Sequence, residues 1–197
     1  RKMDGNFGKI SIHFGPPVEI NEENSVEVIG EGNFTAPHSR RLSRFSLELV
    51  HKINQVTPVT TTSLICISLL SKFALNKKTI ENDVVDLMKL IEYYKPDVLV
   101  DRGKPIGMSV QAGLNLLQRA NLILQHGETL EAKYVLNSEN YLQATYYANM
   151  SIHHLYHRAF IELALLKSSE ANPALRQEAF WEEIMALRAL IKFEFFY

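Results

Sequence analysis

The sequence predicts a mostly α-helical protein, a helical bundle preceded by one β-strand. From Ser39 onward apolar residues recur every three or four positions, the period of amphipathic helices. Apolar and polar residues instead alternate in two short stretches, residues 9–14 and, less regularly, residues 130–136. Because 46% of the residues are hydrophobic and only 22% are charged, the composition is that of a folded domain rather than a disordered chain.

The first predicted element is a strand over Lys9–Phe14. Its alternation stops at Gly15-Pro16-Pro17, which cannot continue a hydrogen-bonded ladder. A single strand has two unpaired edges, so we expect residues 1–20 to complete a sheet elsewhere. Residues 21–37 are polar and predict a connector, which leaves residues 38–197 as the helical domain.

Three helices are predicted in the first half of the helical domain. The first carries one apolar stripe and ends before Pro58. The second begins after Thr60–Ser63, whose side-chain hydroxyls can cap it, and continues to about Ser71. Because it is almost wholly apolar, it is expected at the centre of the bundle. Asn76 caps the third, which ends at Lys95-Pro96. The apolar faces of the first and third helices are Leu42, Phe45, Leu49 and Ile53, and Ile80, Val84, Leu87, Ile91 and Tyr94.

The second half predicts three further helices. Pro105 and Gly127 bracket the fourth, residues 130–136 favour a short strand, and a long helix follows over about 138–167. Asn172-Pro173 then opens the last helix. The expected buried positions are Val110, Leu114, Leu117 and Leu124; Leu142, Tyr146, His153, Tyr156, Phe160 and Leu163; and Phe180, Ile184, Leu187 and Ile191.

Charge and cysteine content narrow the possible partners. A net charge of −1 gives no general attraction to nucleic acid, so no nucleic-acid partner is expected. The single cysteine, Cys66, lies in an apolar run and predicts a small buried hydrophobe. The longest apolar run, Leu64–Leu70, is much shorter than the roughly 18 residues of a spanning helix. Membrane association is therefore expected to be peripheral.

Histidine spacing suggests several sites, none of which meets the geometry of catalysis or metal binding. His153 and His157 lie four residues apart on a predicted helix, yet a zinc site needs a third ligand and His154 would face away. The pairs His126–Glu131 and His157–Glu162 are five residues apart, which on a helix points the two side chains to different faces. No catalytic residue, metal ligand or cofactor is predicted.

One concentrated basic patch stands out. Arg40, Arg41 and Arg44, with His51 and Lys52 nearby, lie on the first predicted helix. Such a patch could contact a substrate phosphate or anionic lipid headgroups. The alternative is a solvated helix face.

Several segments together carry a family resemblance. They are the strand ending Phe14-Gly15-Pro16-Pro17, the Ile53-Asn54 and Thr61-Thr62-Ser63-Leu64 helix pair, Tyr146-Tyr147-Ala148-Asn149 with His153, and the terminal run from Leu187 to Phe195. In this order and spacing, the chain resembles the C-terminal region of the membrane-associated glycerol-3-phosphate 1-O-acyltransferases of the bacterial and mitochondrial type, which are related to dihydroxyacetone phosphate acyltransferase.

The resemblance implies a C-terminal helical domain behind an upstream α/β acyltransferase domain, to which residues 1–20 would contribute the closing strand. It also implies transfer of a fatty acyl group from acyl-CoA or acyl carrier protein to the 1-hydroxyl of glycerol 3-phosphate. The family's catalytic His and Asp, separated by four residues, have no counterpart in this sequence. Both substrates would therefore bind through the upstream domain, and the protein would lie peripherally on the cytoplasmic face of a membrane, the inner membrane in a bacterium.

Two alternatives remain open. The acceptor could be dihydroxyacetone phosphate, or the chain could be a non-catalytic helical interaction module. Tyr146, Asn149 and His153 lie at i, i+3 and i+7, so one helix face would present a phenol, an amide and an imidazole. Their expected role is an interhelical hydrogen-bond network, or the lining of an acyl or headgroup tunnel.

Overall fold

The computed structural model describes residues 12–18, 36–100, 104–127 and 132–191, with side chains from Ser43 onward in the first helix. In chain order the helices and strands are α1 (Ala36–Val56), α2 (Thr61–Ser71), β1 (Leu75–Asn76), α3 (Lys77–Tyr94), α4 (Ile106–Arg119), β2 (Ile123–His126), β3 (Lys133–Leu136), α5 (Tyr141–Ile152), α6 (Tyr156–Glu170) and α7 (Arg176–Ile191). The fold is mostly α, as the sequence predicts.

The described chain divides into two compact units that meet in the sequence between Thr57 and Pro58. The first contains α1 and the segment 12–18. Of the predicted strand Lys9–Phe14, only residues 12–14 are described, and they form no strand. A strand whose partners lie in another domain would show no ladder here, so its place in an upstream sheet stays a prediction. On α1, Phe45 and Leu49 of the predicted stripe are half-buried, whereas Ile53 is 53% exposed.

The second unit is built around α2. Thr60 caps this helix, its Oγ1 accepting the Ser63 backbone N–H at 3.2 Å. Apolar side chains lie on every face of α2, so the helix is stabilised by neighbours on several sides, and α3, α4 and α5 all pack on it. The predicted central position of α2 is confirmed. The largest fully buried side chains of the core are Leu64, Ile65, Ile80, Ile91, Leu114, Leu117 and Leu122.

A three-stranded antiparallel sheet in the order β1-β3-β2 flanks the helices. The prediction of strand structure in 130–136 is confirmed by β3, but the fourth helix ends earlier than predicted, at Arg119. Asn121 adopts a left-handed φ of 57°, and the Leu122 N–H donates to the Leu117 carbonyl at 2.9 Å. This is a helix-ending turn of the Schellman type, which asparagine tolerates. Leu124 therefore lies in β2, 42% exposed, instead of on a buried helix face.

The predicted long helix over 138–167 is also wrong, because the chain forms two helices with a turn between them. At the junction the His154 N–H donates to the Ser151 carbonyl and the Leu155 N–H to the Ile152 carbonyl, at 3.1 and 2.8 Å. These three-residue hydrogen bonds tighten the last turn of α5, and α-helical hydrogen bonding starts again in α6, where the Ala159 N–H donates to the Leu155 carbonyl. The helical period predicted through residues 153–155 is therefore interrupted.

The last helix follows its predicted cap. Asn172 Oδ1 accepts the Ala174 N–H at 3.2 Å, a short 3₁₀ turn follows, and α7 packs against α6. The predicted inner face is correct in direction but only half-buried; its members are Phe180, Ile184, Leu187 and Ile191.

Candidate functional site

The buried face of α5 consists of small residues. Ala144, Ala148 and Ser151 are at most 1% exposed and pack toward α2. The hydroxyls of Ser151 and Ser63 lie 2.6 Å apart inside this contact, and the Ser63 hydroxyl also donates to the Thr60 carbonyl. Small side chains let the two helix backbones approach closely, so this face determines how α5 sits on the core.

The polar row predicted on α5 lies elsewhere. Tyr146 is 69% exposed and Asn149 is also exposed, so these two side chains are not in a buried interhelical network. The reason is the choice of packing face, because α5 buries its small residues and turns the Tyr146 side outward. Only His153 is partly buried, and it hydrogen bonds with the Asn149 backbone. A tunnel-lining role for the three residues stays a prediction.

The junction between α5 and α6 brings histidines together in a way that the sequence did not predict. His154 turns inward and is 5% exposed, and its ring centroid lies 3.9 Å from that of His153. Neither ring nitrogen of His154 has a hydrogen-bond partner among the described residues, and the same holds for Nε2 of His153. The expectation that His154 faces away from the site was wrong because it assumed an unbroken helix.

Burial and nearby positive charge lower the pKa values of these imidazoles. Burial, followed by the charges of His153 and Lys95, lowers the pKa of His154 to about 3. Burial and the Lys95 charge also lower the pKa of His153 and of His157. Lys95 follows the last turn of α3, and its own pKa is lowered by burial. Electrostatic coupling to Lys95 therefore connects all three histidines.

A cavity of about 530 Å³ opens at this junction, and we call it the Lys95 cavity. At its rim Arg158 Nε donates to Glu162 Oε1 at 2.5 Å, while the ring of His157 hydrogen bonds with the Tyr156 hydroxyl at 2.8 Å. Glu162 is thus engaged by arginine, which leaves His157 without the carboxylate that a catalytic dyad would need. The cavity is lined by Tyr94, Lys95, His154, His157, Arg158, Ile161 and Glu162.

A larger groove of about 790 Å³ lies beside this cavity, along α2, α3 and α6. At its edge Asp83 accepts the buried Ser68 hydroxyl at 2.5 Å and both carboxylate oxygens accept Lys72 Nζ, at 2.7 and 2.8 Å. The groove is lined by equal numbers of basic and acidic side chains around apolar residues: Lys72, Lys89 and Arg158, Asp83, Asp86 and Glu162, with Ile67, Leu87, Leu90 and Leu155 among the apolar ones. This balance gives the groove no preference for an anion or a cation.

Cys66, the basic patch on α1 and Glu131 are the remaining residues that the sequence singled out. Cys66 is fully buried and burial raises the pKa of its thiol to about 12, which confirms its prediction as a hydrophobic core residue. Arg44 is exposed on α1, whereas the side chains of Arg40 and Arg41 lie outside the described residues, as does Glu131. Within the described ranges, no three His, Cys, Asp or Glu side chains are grouped as metal ligands. None of the described helices contains an apolar stretch of the length that a membrane-spanning segment needs.

Two comparisons with known proteins both match this chain to acyltransferases. The family described as "Glycerol-3-phosphate acyltransferase C-terminal region" matches residues 1–197. A protein named "Putative acyltransferase plsB1" from Mycobacterium bovis, and its counterpart from Mycobacterium tuberculosis, are each 25% identical over 205 residues. The match covers 100% of this chain and 32% of each relative, so the chain spans about a third of their length. No solved structure matches.

Proposed function

Because the chain belongs to the family of glycerol-3-phosphate acyltransferase C-terminal regions, we propose that it is the C-terminal part of an enzyme that transfers a fatty acyl group to the 1-hydroxyl of glycerol 3-phosphate. The donor would be acyl-CoA or acyl carrier protein, and the product lysophosphatidic acid, the start of phospholipid synthesis. The family match over residues 1–197 is the observation that carries this proposal.

The helical domain would support catalysis without performing it. The sequence contains no His and Asp separated by four residues, and the described His157 and Glu162 are engaged by Tyr156 and Arg158. Acyl transfer to a hydroxyl needs a positioned base. We therefore place the base and both substrates' reacting groups in the part of the protein that corresponds to the remaining two thirds of its relatives.

The first experiment compares two candidate acyl acceptors. Purified full-length protein with palmitoyl-CoA is expected to acylate glycerol 3-phosphate with a higher kcat/KM than dihydroxyacetone phosphate. A preference for dihydroxyacetone phosphate would select the alternative acceptor. If neither compound is acylated by protein that is folded and binds membranes, the non-catalytic helical module becomes the better description.

We further propose that the protein lies peripherally on the cytoplasmic face of a membrane, the inner membrane in a bacterium, with Arg40, Arg41 and Arg44 toward anionic lipid. Attraction to an anionic surface is about 1 kcal/mol per basic residue, and it is screened by salt. The alternative contact for this patch is a substrate phosphate.

Replacing Arg40, Arg41 and Arg44 together by alanine in the full-length protein is expected to weaken binding to anionic vesicles by about tenfold or more at low salt, since three such attractions are lost. Vesicle co-sedimentation measures this, with neutral phosphatidylcholine vesicles as the control. Unchanged binding to anionic vesicles would remove the patch from the membrane contact.

A further inference from the structure

Basic groups outnumber acidic ones in the Lys95 cavity. Among the described lining residues, Lys95 and Arg158 are cationic and Glu162 is the one carboxylate, which pairs with Arg158. This pairing leaves the charge of Lys95 without a partner carboxylate, and His154 adds two unpaired ring nitrogens. Lys95 forms no salt bridge with any carboxylate of the described residues, although it is partly buried. The neighbouring groove, by contrast, has its charges balanced.

His154 adds an independent indication of a ligand. Polar atoms that are buried in proteins nearly always have a hydrogen-bond partner. This ring is 5% exposed, lines the cavity, and has neither nitrogen paired with a described residue. Imidazole can donate one hydrogen bond when neutral and two when protonated, so it suits a ligand rich in acceptor oxygens.

We propose that the Lys95 cavity binds the phosphate group of a phosphate monoester. Lysine and arginine have only donors to offer, and they come from two different elements, the end of α3 and the first turn of α6. A phosphate presents three acceptor oxygens and can accept from several directions at once. The first turn of α6 is also the positive end of its helix dipole, which favours an anion.

The positive charge of Lys95 also acts on the histidine rings. Burial is the main reason that the pKa values of His153, His154 and His157 are lowered, and the charge of Lys95 lowers them further. A bound dianion would offset that charge and raise these pKa values. Phosphate binding should therefore be accompanied by a change at the histidine rings.

Two sources can supply a phosphate monoester: a soluble metabolite such as glycerol 3-phosphate, or the headgroup of a lipid such as phosphatidate. The 197-residue chain is titrated with inorganic phosphate, with glycerol 3-phosphate, and with vesicles of phosphatidylcholine that contain phosphatidate. Nuclear magnetic resonance of the histidine ring protons reports the site, and the exposed His126, which belongs neither to the cavity nor to the basic patch, serves as the internal reference. We expect His154 and His157 to shift with inorganic phosphate while His126 does not.

The second part of the test compares two charge-matched variants at opposite ends of α3. Lys95→Met is expected to weaken phosphate binding about tenfold, because one charge-assisted contact is lost. Lys78→Met removes the same charge from a side chain that is 79% exposed and lines neither cavity, so binding should be unchanged. Stronger binding of glycerol 3-phosphate than of inorganic phosphate identifies a soluble ligand, and binding only to phosphatidate vesicles identifies a lipid headgroup.

Equal binding by the two variants, or an absence of response at His154 and His157 to all three probes, would overturn the proposal. Circular dichroism and a cooperative thermal transition are recorded first for each protein. A variant that does not fold is replaced by Lys95→Gln, and if the chain itself does not fold, the full-length protein is titrated with the same probes and variants. No step of this test requires acyl transfer, so its failure and the failure of the proposed reaction are distinguishable.

Discussion

The 197-residue chain alone is expected to show no acyl transfer to glycerol 3-phosphate, whereas the full-length protein should be active. Attack of a neutral hydroxyl on a thioester requires a general base that is oriented by a further group. In the described structure His157 bonds with Tyr156, Glu162 bonds with Arg158, and the buried thiol of Cys66 stays protonated because its pKa is about 12. Removing the catalytic base and its partner costs orders of magnitude in rate, so the fragment should fall to background.

Radiolabelled glycerol 3-phosphate with palmitoyl-CoA provides the assay, applied to equal molar amounts of the fragment and the full-length protein. Boiled fragment sets the background. Turnover by the intact fragment above that background would contradict the assignment of no catalytic residue to this chain.

Leu64→Ala is expected to lower the free energy of unfolding by about 3 kcal/mol, because it leaves a cavity in the most enclosed helix of the core. Leu64 is fully buried on α2, the helix on which α3, α4 and α5 pack. The matched control is Leu142→Ala on α5. Leu142 is 85% exposed, so its truncation should change stability by less than about 0.5 kcal/mol.

Urea denaturation followed by far-ultraviolet circular dichroism measures both variants. The pair tests which face of α5 is buried, since the periodicity of the sequence placed Leu142 inside. If Leu142→Ala lowers the free energy of unfolding as much as Leu64→Ala does, the face of α5 that carries Leu142 is the packed one.

The ends of several helices were predictable because they depend on neighbouring residues in the chain. Thr60 and Asn76 each accept a backbone N–H three residues ahead, from Ser63 and Thr79, and Asn172 opens the last helical segment as predicted. The almost wholly apolar α2 had to be central, since no face of it could be left in water. These features need only local hydrogen bonding and hydrophobicity.

Errors occurred where a local pattern permitted more than one structure. The apolar residues Leu122–Leu124 extend the period of α4, yet Asn121 turns the chain into β2, whose pairing with β3 satisfies the backbone groups. Asn121 is the feature that could have indicated this turn, because asparagine tolerates left-handed backbone. Similarly, one face of α5 carries large side chains such as Leu142 and Tyr146, and another carries small ones. The face with small side chains is the one that packs on α2, where the Ser63 and Ser151 hydroxyls are hydrogen bonded.

The sequence by itself determined the helical class, the helix caps and the central apolar helix, because each follows from composition, period and local motifs. The family followed from the resemblance of its segments, in their order and spacing, to known acyltransferases. Only the tertiary structure decided where α5 stops, which of its faces is buried, and that Lys95 and His154 line one cavity although they are distant in sequence. The physical reason is that the face of a helix that becomes buried depends on how closely its side chains let it approach its neighbours, and not on the spacing of apolar residues alone. The break at residues 153–155 then interrupts the helical period on which the prediction for the following residues depended.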